Sequence, residues 1–109
     1  IRYEPSSNVL TSLPGKDLAL GVESAWEYTT RETGWLNPGE SLVLISDGVT
    51  EAPGNKDMFG NHRLQASIVN HSNVSSSAEE ISKSIVADVI KHAKDGKIDD
   101  DTTLVVVKG

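Results

Sequence analysis

The chain contains two short apolar runs, residues 42–45 and 104–107, and each run meets an acidic turn at one end. The acidic turn residues follow the first run and precede the second: Asp47 with Gly48, then Asp99, Asp100 and Asp101. If the runs are neighbouring antiparallel strands, the end of the first lies beside the start of the second. Asp47 then converges with Asp100 or Asp101 at one sheet edge. Converging carboxylates repel, and a bound hard cation relieves that repulsion, so the pattern predicts a cation site.

Each acidic motif also has a plain structural explanation when taken alone. Asp-Gly is a common turn dipeptide, although the glycine after Asp47 also permits a close approach of the backbone. Aspartates such as those at 99–101 often cap turns through bonds to the backbone. The association of both motifs with apolar strands favours a site. Four consecutive apolar residues in each run predict burial on both faces, as in a sheet covered on each side.

Composition excludes several classes of function. A chain of 109 residues is one domain or part of one, and its net charge of −6 disfavours nucleic acid, which is bound by basic groups. The lack of cysteine excludes disulfides, thiolate metal sites and a cysteine nucleophile. No apolar stretch approaches the roughly 18 residues that span a membrane, and no signal peptide opens the chain. We therefore expect a cytoplasmic protein without a membrane span.

The remaining pattern predicts strands, then helices and a last strand, which is an α+β fold. The predicted strands are residues 2–4, 9–11, 18–22, 26–33, 41–46 and 104–107. Helices are predicted at about 61–69 and 78–94, the second beginning at the capping-box pair Ser77 and Glu80 and ending by Gly96. Its apolar face carries Ile81, Ile85, Val89 and Ala93, with Val86 and Ile90 beside them, and its solvated face carries Lys83, Asp88, Lys91 and Lys94.

Other candidate sites fail on the same sequence. The turn at Asp95 lacks the alternating acidic ligands of a calcium loop. Trp26 and Tyr28 share a predicted strand face and are expected to pack on the core or on a neighbouring element, not on bases. No serine-hydrolase elbow or glycine-rich phosphate loop is present. The histidines lack ligand spacing and are expected to be solvated: His62, His71 and His92.

A longer motif carries a family resemblance. Residues 36–52 read LNPGESLVLISDGVTEA, which resembles the signature of bacterial metal-dependent serine/threonine phosphatases of the sporulation stage II E type, within the PP2C-like superfamily. Two further pieces occur in the family's order: Met58-Phe59-Gly60 before a helix, and DDTTLVVV at 100–107. The resemblance implies part of an α/β/β/α sandwich with antiparallel sheets and two C-terminal helices. Residues 1–109 are then the C-terminal portion of one domain, without its N-terminal part.

The resemblance also implies site residues. Asp47 and Asp100 are expected to bind one ion of a binuclear Mn²⁺ or Mg²⁺ centre, with Asp101 and Gly48 adjacent. The family also needs an earlier Asp-x-x-Gly segment whose carboxylate bridges both ions, and no earlier segment here has that pattern. In such a centre no side chain is the nucleophile, because metal-bound water attacks phosphorus. Two carboxylates hold such ions loosely, so we expect residues 1–109 alone to be inactive.

The leading hypothesis is a phosphatase domain acting on phosphoserine or phosphothreonine of a regulatory protein. The resemblance implies an anti-anti-sigma-type substrate and an upstream sensor or receiver domain as controller. One alternative is a truncated or degenerate module that binds a partner without catalysis, and another is a structural α+β domain without metal. The loop at 51–57 either shapes substrate access or is a flexible connector. Half a sandwich leaves an apolar sheet face uncovered, so we expect the isolated fragment to aggregate, oligomerise or pair with another segment.

Overall fold

The chain folds into an antiparallel sheet with two long helices packed against it. The computed structural model describes residues 1–13, 15, 17–98 and 100–109. In chain order the elements are β1 (Arg2–Glu4), β2 (Val9–Thr11), β3 (Ser41–Ile45), α1 (Asp47–Thr50), α2 (Gly60–His71), α3 (Ala78–His92), a 3-10 turn (Lys94–Gly96) and β4 (Leu104–Lys108). The predicted α+β class is confirmed.

The sheet places the two apolar runs side by side. Its strand order is β2-β1-β3-β4, and each neighbouring pair is antiparallel. The ladder between β3 and β4 runs from the pair Ser41 and Lys108 to the pair Ile45 and Leu104. The predicted strands at 2–4 and 9–11 are also present, and they pair as a hairpin of β1 and β2. Consequently the C-terminal end of β3 and the N-terminal end of β4 lie at the same edge.

The two long helices follow the predicted signals closely. The Ser77 hydroxyl accepts a hydrogen bond from the Glu80 amide at 3.1 Å, and the Glu80 carboxylate accepts one from the Ser77 amide at 3.0 Å, which completes the capping box. Helix α3 ends at His92, slightly before the predicted boundary. The left-handed backbone at Asp95 (φ 58°) and Gly96 (φ 65°) then turns the chain toward β4.

The core lies between the helices and the inner face of the sheet. It is formed by Tyr3, Val43, Val49, Ala52, Phe59, Leu64, Ile68, Ile81, Ile85 and Val89, all buried. The predicted face of α3 is thus the buried one, with Val86 and Ile90 at its exposed margin. Burying such a side chain contributes roughly 1.5–3 kcal/mol, so this interface is the main source of stability.

The opposite face of the sheet is open. On this face Leu44 is 50% exposed, Val105 48% and Val107 44%. Val43 precedes Leu44 on β3, faces the helices and is only 1% exposed. The prediction that both faces of these strands are buried is therefore wrong for the described residues, because the helices cover one face only. The expectation that half a sandwich leaves an apolar face uncovered agrees with this arrangement.

Two predicted strands do not form. The described residues between β2 and β3 contain no helix or strand, which contradicts the predictions at 18–22 and 26–33. Trp26 and Tyr28, predicted to pack on the core or on a neighbouring element, are exposed and outside the core. Trp26 Nε1 donates to Asp17 Oδ1 at 3.2 Å, and the Tyr28 hydroxyl donates to the Ala19 carbonyl at 3.2 Å. Strand propensity needs a neighbouring strand to take effect, and the sheet formed by the described residues includes no strand paired with this segment.

Two of the histidines are not simply solvated, contrary to prediction. His71 Nε2 lies 2.9 Å from Asp88 Oδ2, and the same carboxylate oxygen accepts a hydrogen bond from the Ser67 hydroxyl at 2.6 Å. Asp88 therefore connects α3 to α2 and does not belong to a purely solvated face.

His92 packs against residues 53–59, with its side chain only 19% exposed. His62 is exposed on α2, as predicted.

Candidate functional site

The edge predicted to carry the site is held together by continuation of the β3–β4 ladder. Beyond the last paired residues, the Ser46 amide donates to the Thr103 carbonyl at 2.9 Å. In return, the Thr103 amide donates to the Ser46 hydroxyl, also at 2.9 Å. Ser46 immediately precedes Asp47, so these two bonds fix the point at which each acidic segment leaves the sheet.

Gly48 brings the two acidic segments into direct contact. It is buried, and a β-carbon at its position would lie 2.2 Å from the Asp101 carbonyl oxygen and 3.0 Å from the Thr102 hydroxyl. Any side chain would therefore force the segments apart. Glycine is required here for space, which agrees with the close backbone approach predicted for this position.

Asp47 and Asp100 both present exposed carboxyl groups next to this contact. Asp47 opens the short helix α1, whose turn is closed by the Glu51 amide donating to the Asp47 carbonyl at 2.8 Å. Asp100 Oδ1 accepts a hydrogen bond from the Asp101 amide at 2.8 Å, which orients the Asp100 side chain. Asp101 is also exposed, and Asp99 lies outside the described residues. The acids predicted to converge therefore belong to two segments in backbone contact.

The carboxylate oxygens at this edge are the type of ligand that a hard cation prefers, but the described residues supply too few of them to complete a site. Carboxylate oxygens are the preferred ligands of Mg²⁺ and Mn²⁺, and the exposed carboxylates leave room for water ligands. Within the described part of the chain, no group of three or more histidine, aspartate or glutamate side chains is arranged to hold a metal. Asp47 and Asp100 thus have the donor type that such a site uses, and the described residues alone do not complete a metal centre.

Comparison with known protein families identifies the family of the whole chain. The family model described as Stage II sporulation protein E (SpoIIE) matches residues 1–109, which is the whole chain. The chain belongs to the SpoIIE family. The family resemblance carried by residues 36–52 and 100–107 is confirmed.

Among curated proteins, the SpoIIE chain is similar to the "Phosphoserine phosphatase RsbU" of Bacillus subtilis (strain 168). The two are 33% identical over 106 residues, which covers 97% of this chain and 30% of RsbU. The SpoIIE chain thus spans less than a third of that relative's length. No solved structure gives a significant match. Among the described residues, no helix is both long enough and apolar enough to cross a membrane.

Sequence reasoning missed the hydrogen-bonding groups next to the acidic residues of this edge. Ser46 and Thr103 exchange the bonds that extend the ladder, yet small polar residues at strand ends are too common to be singled out. The loop at 51–57 also has a hydrogen bond at its base that was not predicted. The Phe59 amide donates to the Ala52 carbonyl at 2.8 Å, so the loop is closed at its base.

Proposed function

We propose that this SpoIIE-family chain supplies the C-terminal portion of a protein phosphatase domain that hydrolyses phosphoserine or phosphothreonine. The observation that carries the proposal is the contact of Gly48 with the Asp101 backbone, which joins the two acidic segments of the family signature. Similarity to a protein named phosphoserine phosphatase supports the same reaction. The two segments are 53 positions apart in sequence (101 minus 48), and their contact depends on the β3–β4 ladder.

Asp47 and Asp100 are the proposed ligands for one Mn²⁺ or Mg²⁺ ion. When bound, such an ion supplies an activated water for attack on phosphorus and neutralises charge on the phosphoryl oxygens. Asp47 enters from the start of α1, and Asp100 is oriented by the Asp101 amide. Because Gly48 has no side chain, the two segments can approach closely. Asp101 adds negative charge next to the proposed ligands. No side chain of this chain is required as a nucleophile.

The remaining ligands are proposed to come from a preceding part of the same domain. The described residues hold no three-ligand metal cluster, and one sheet face bears exposed Leu44, Val105 and Val107. Apolar side chains of this kind are stabilised by a second layer, which a sandwich provides. A complete centre of two ions then forms only when that layer is present, and residues 1–109 alone are inactive.

The proposed substrate is a phosphorylated regulatory protein of the anti-anti-sigma type, and the proposed controller is an upstream sensor or receiver domain. These assignments rest on membership of the SpoIIE family and on similarity to RsbU. A net charge of −6 disfavours nucleic acid as a competing partner. Cytoplasmic location is proposed on the same family basis.

Release of inorganic phosphate from a phosphoserine protein tests the proposal. The protein encoded by the full gene should require Mn²⁺ or Mg²⁺, and Asp47→Asn or Asp100→Asn should reduce kcat/KM by about 100-fold or more, the scale of losing a group that stabilises transition-state charge. Asp95→Asn is the matched control, because Asp95 is exposed in a left-handed turn that asparagine tolerates. Full activity of both site variants would contradict the proposal.

The absence of a three-ligand cluster among the described residues favours one second candidate, a module that binds a phosphoprotein without hydrolysing it. If such a module is immobilised on a column, it should retain a labelled phosphoserine protein. It should release no phosphate with either Mn²⁺ or Mg²⁺. Phosphate release that depends on Asp47 would exclude this alternative.

A further inference from the structure

A compact turn lies two residues beyond α1. We name residues 53–58 the 53–58 turn. It is closed by the Gly54 amide donating to the Asp57 carbonyl at 2.9 Å and by an antiparallel bridge between Pro53 and Met58. Asn55 and Lys56 are exposed at its tip. The segment is therefore a defined projection with a cation at its end.

The base of the 53–58 turn is fixed next to the acidic edge. The flanking residues Ala52 and Phe59 are 2% and 3% exposed and are joined by the bond from the Phe59 amide to the Ala52 carbonyl. Ala52 directly follows Glu51, whose amide closes the α1 turn on the Asp47 carbonyl. The turn is thus attached through Ala52 and Glu51 to the start of α1, and its buried base is held by its own hydrogen bond.

The outer side of the 53–58 turn is docked on the end of α3. Gly54 forms an antiparallel bridge with Ala93, and the Lys94 amide donates to the Pro53 carbonyl at 2.9 Å. These contacts join segments about 40 positions apart, since 93 minus 54 is 39. The end of α3 therefore acts as a support for the turn.

His92 fills the space between the turn and α3. Its Nε2 lies 3.0 Å from the Asp57 carbonyl oxygen, and because a carbonyl only accepts, Nε2 is the donor. The ring also makes an edge contact with Phe59, at a centroid distance of 5.7 Å and an interplanar angle of 64°. A β-carbon on Gly54 would lie 2.4 Å from Nε2, so only glycine leaves room for the imidazole ring at this position.

We propose that His92 is a positioning residue that holds the 53–58 turn as a preformed wall for the phosphoprotein substrate, with Lys56 facing the bound protein chain. The inference rests on the proposed phosphatase function. The imidazole stays away from the reacting phosphoryl group and acts through the turn. Lys56 is exposed at the tip of the turn and is available to a protein chain, so the proposed role concerns the protein substrate specifically.

His92→Ala tests the proposal in the protein encoded by the full gene, with His92→Gln as the variant that keeps an N–H donor. Hydrogen exchange at the Gly54 and Lys94 amides should accelerate in His92→Ala and return toward wild type in His92→Gln. KM for the phosphoprotein should rise about 2- to 12-fold in His92→Ala, the range expected for one net hydrogen bond. The kcat for p-nitrophenyl phosphate should stay unchanged, and His62→Ala, an exposed histidine on α2, is the control.

The outcomes separate this inference from the function on which it rests. Unchanged exchange at Gly54 and Lys94 in His92→Ala would overturn the positioning role, whatever the enzyme activity. An equal loss with the phosphoprotein and with p-nitrophenyl phosphate would also overturn it, because the turn would then not be specific to the protein substrate. Wild-type protein that releases no phosphate with either substrate would instead contradict the phosphatase function.

Discussion

Gly48 lies against the backbone of Asp101 so closely that a β-carbon on the glycine would come within 2.2 Å of the aspartate carbonyl oxygen. This contact joins the segment after β3 to the segment before β4. The acidic residues of both segments lie at one edge because their backbones pack together. The close packing of backbone, and not an attraction between side chains, therefore holds the two acidic segments together.

Replacing Gly48 with alanine should separate the two acidic segments. Since the new methyl group collides with backbone, we expect a loss of about 1–3 kcal/mol in the free energy of unfolding. Mn²⁺ affinity should fall at the same time. Urea unfolding and calorimetric titration measure the two effects. Gly34→Ala is the control, because a β-carbon there meets nothing within 4 Å, and an effect of Gly48→Ala no larger than that of the control would contradict the account.

Stability should depend on pH through Glu40, whose side chain is 5% exposed. The Asn37 amide, donating at 3.0 Å, is the largest cause that lowers the pKa of Glu40. Burial opposes this effect, and the Asn37 side chain and Arg2 add to it. A carboxyl with a lowered folded pKa stabilises the fold above its ordinary value of 4.5, and that contribution is lost as pH falls toward the folded pKa.

Glu40→Gln isolates this contribution. Wild type should be more stable than the variant near neutral pH, and the difference should shrink as pH falls below the ordinary pKa of 4.5 toward the lowered pKa of the folded state, where the wild-type carboxyl is protonated. Urea midpoints across that range provide the measurement. A difference that stays constant with pH would show that the charge of Glu40 is not responsible.

The Asp88 carboxylate should stabilise the contact between α2 and α3. Asp88→Ala leaves the Ser67 hydroxyl, 3% exposed, without its acceptor at 2.6 Å, and removes the partner of His71. We expect a cost of about 1–3 kcal/mol, typical of an unsatisfied buried polar group. Gln65→Ala, on the exposed side of α2, is the control in urea unfolding. Equal stability of the two variants would exclude a structural role for Asp88.

The elements predicted correctly are those whose signals are local. The capping box of Ser77 and Glu80 encodes the start of α3 in four residues, and each of the apolar runs at 42–45 and 104–107 marks one strand. The predicted strand at 26–33 failed because strand formation depends on a partner elsewhere in the chain. His92 gave no usable signal, since it contacts Asp57, 35 positions away.

The open sheet face should control self-association. Residues 1–109 alone should aggregate or oligomerise, because Leu44, Val105 and Val107 are each about half exposed on one sheet face, and β4, which carries Val105 and Val107, is an edge strand of the described sheet. Val105→Thr with Val107→Thr should raise the monomer fraction while keeping the branched side chains that suit a strand. Light scattering with size-exclusion chromatography measures this. A monomeric wild-type fragment that unfolds cooperatively would contradict the half-sandwich proposal.

Calorimetric titration of Mn²⁺ into the protein encoded by the full gene, as wild type and as Asp47→Asn, tests the central claim most directly. The account predicts saturable binding by wild type and, in the variant, loss of the ion held by Asp47 and Asp100, with urea unfolding confirming that the variant stays folded. Absence of Mn²⁺ binding by wild type, or an unchanged titration in Asp47→Asn, would contradict the assignment of this edge as a metal site.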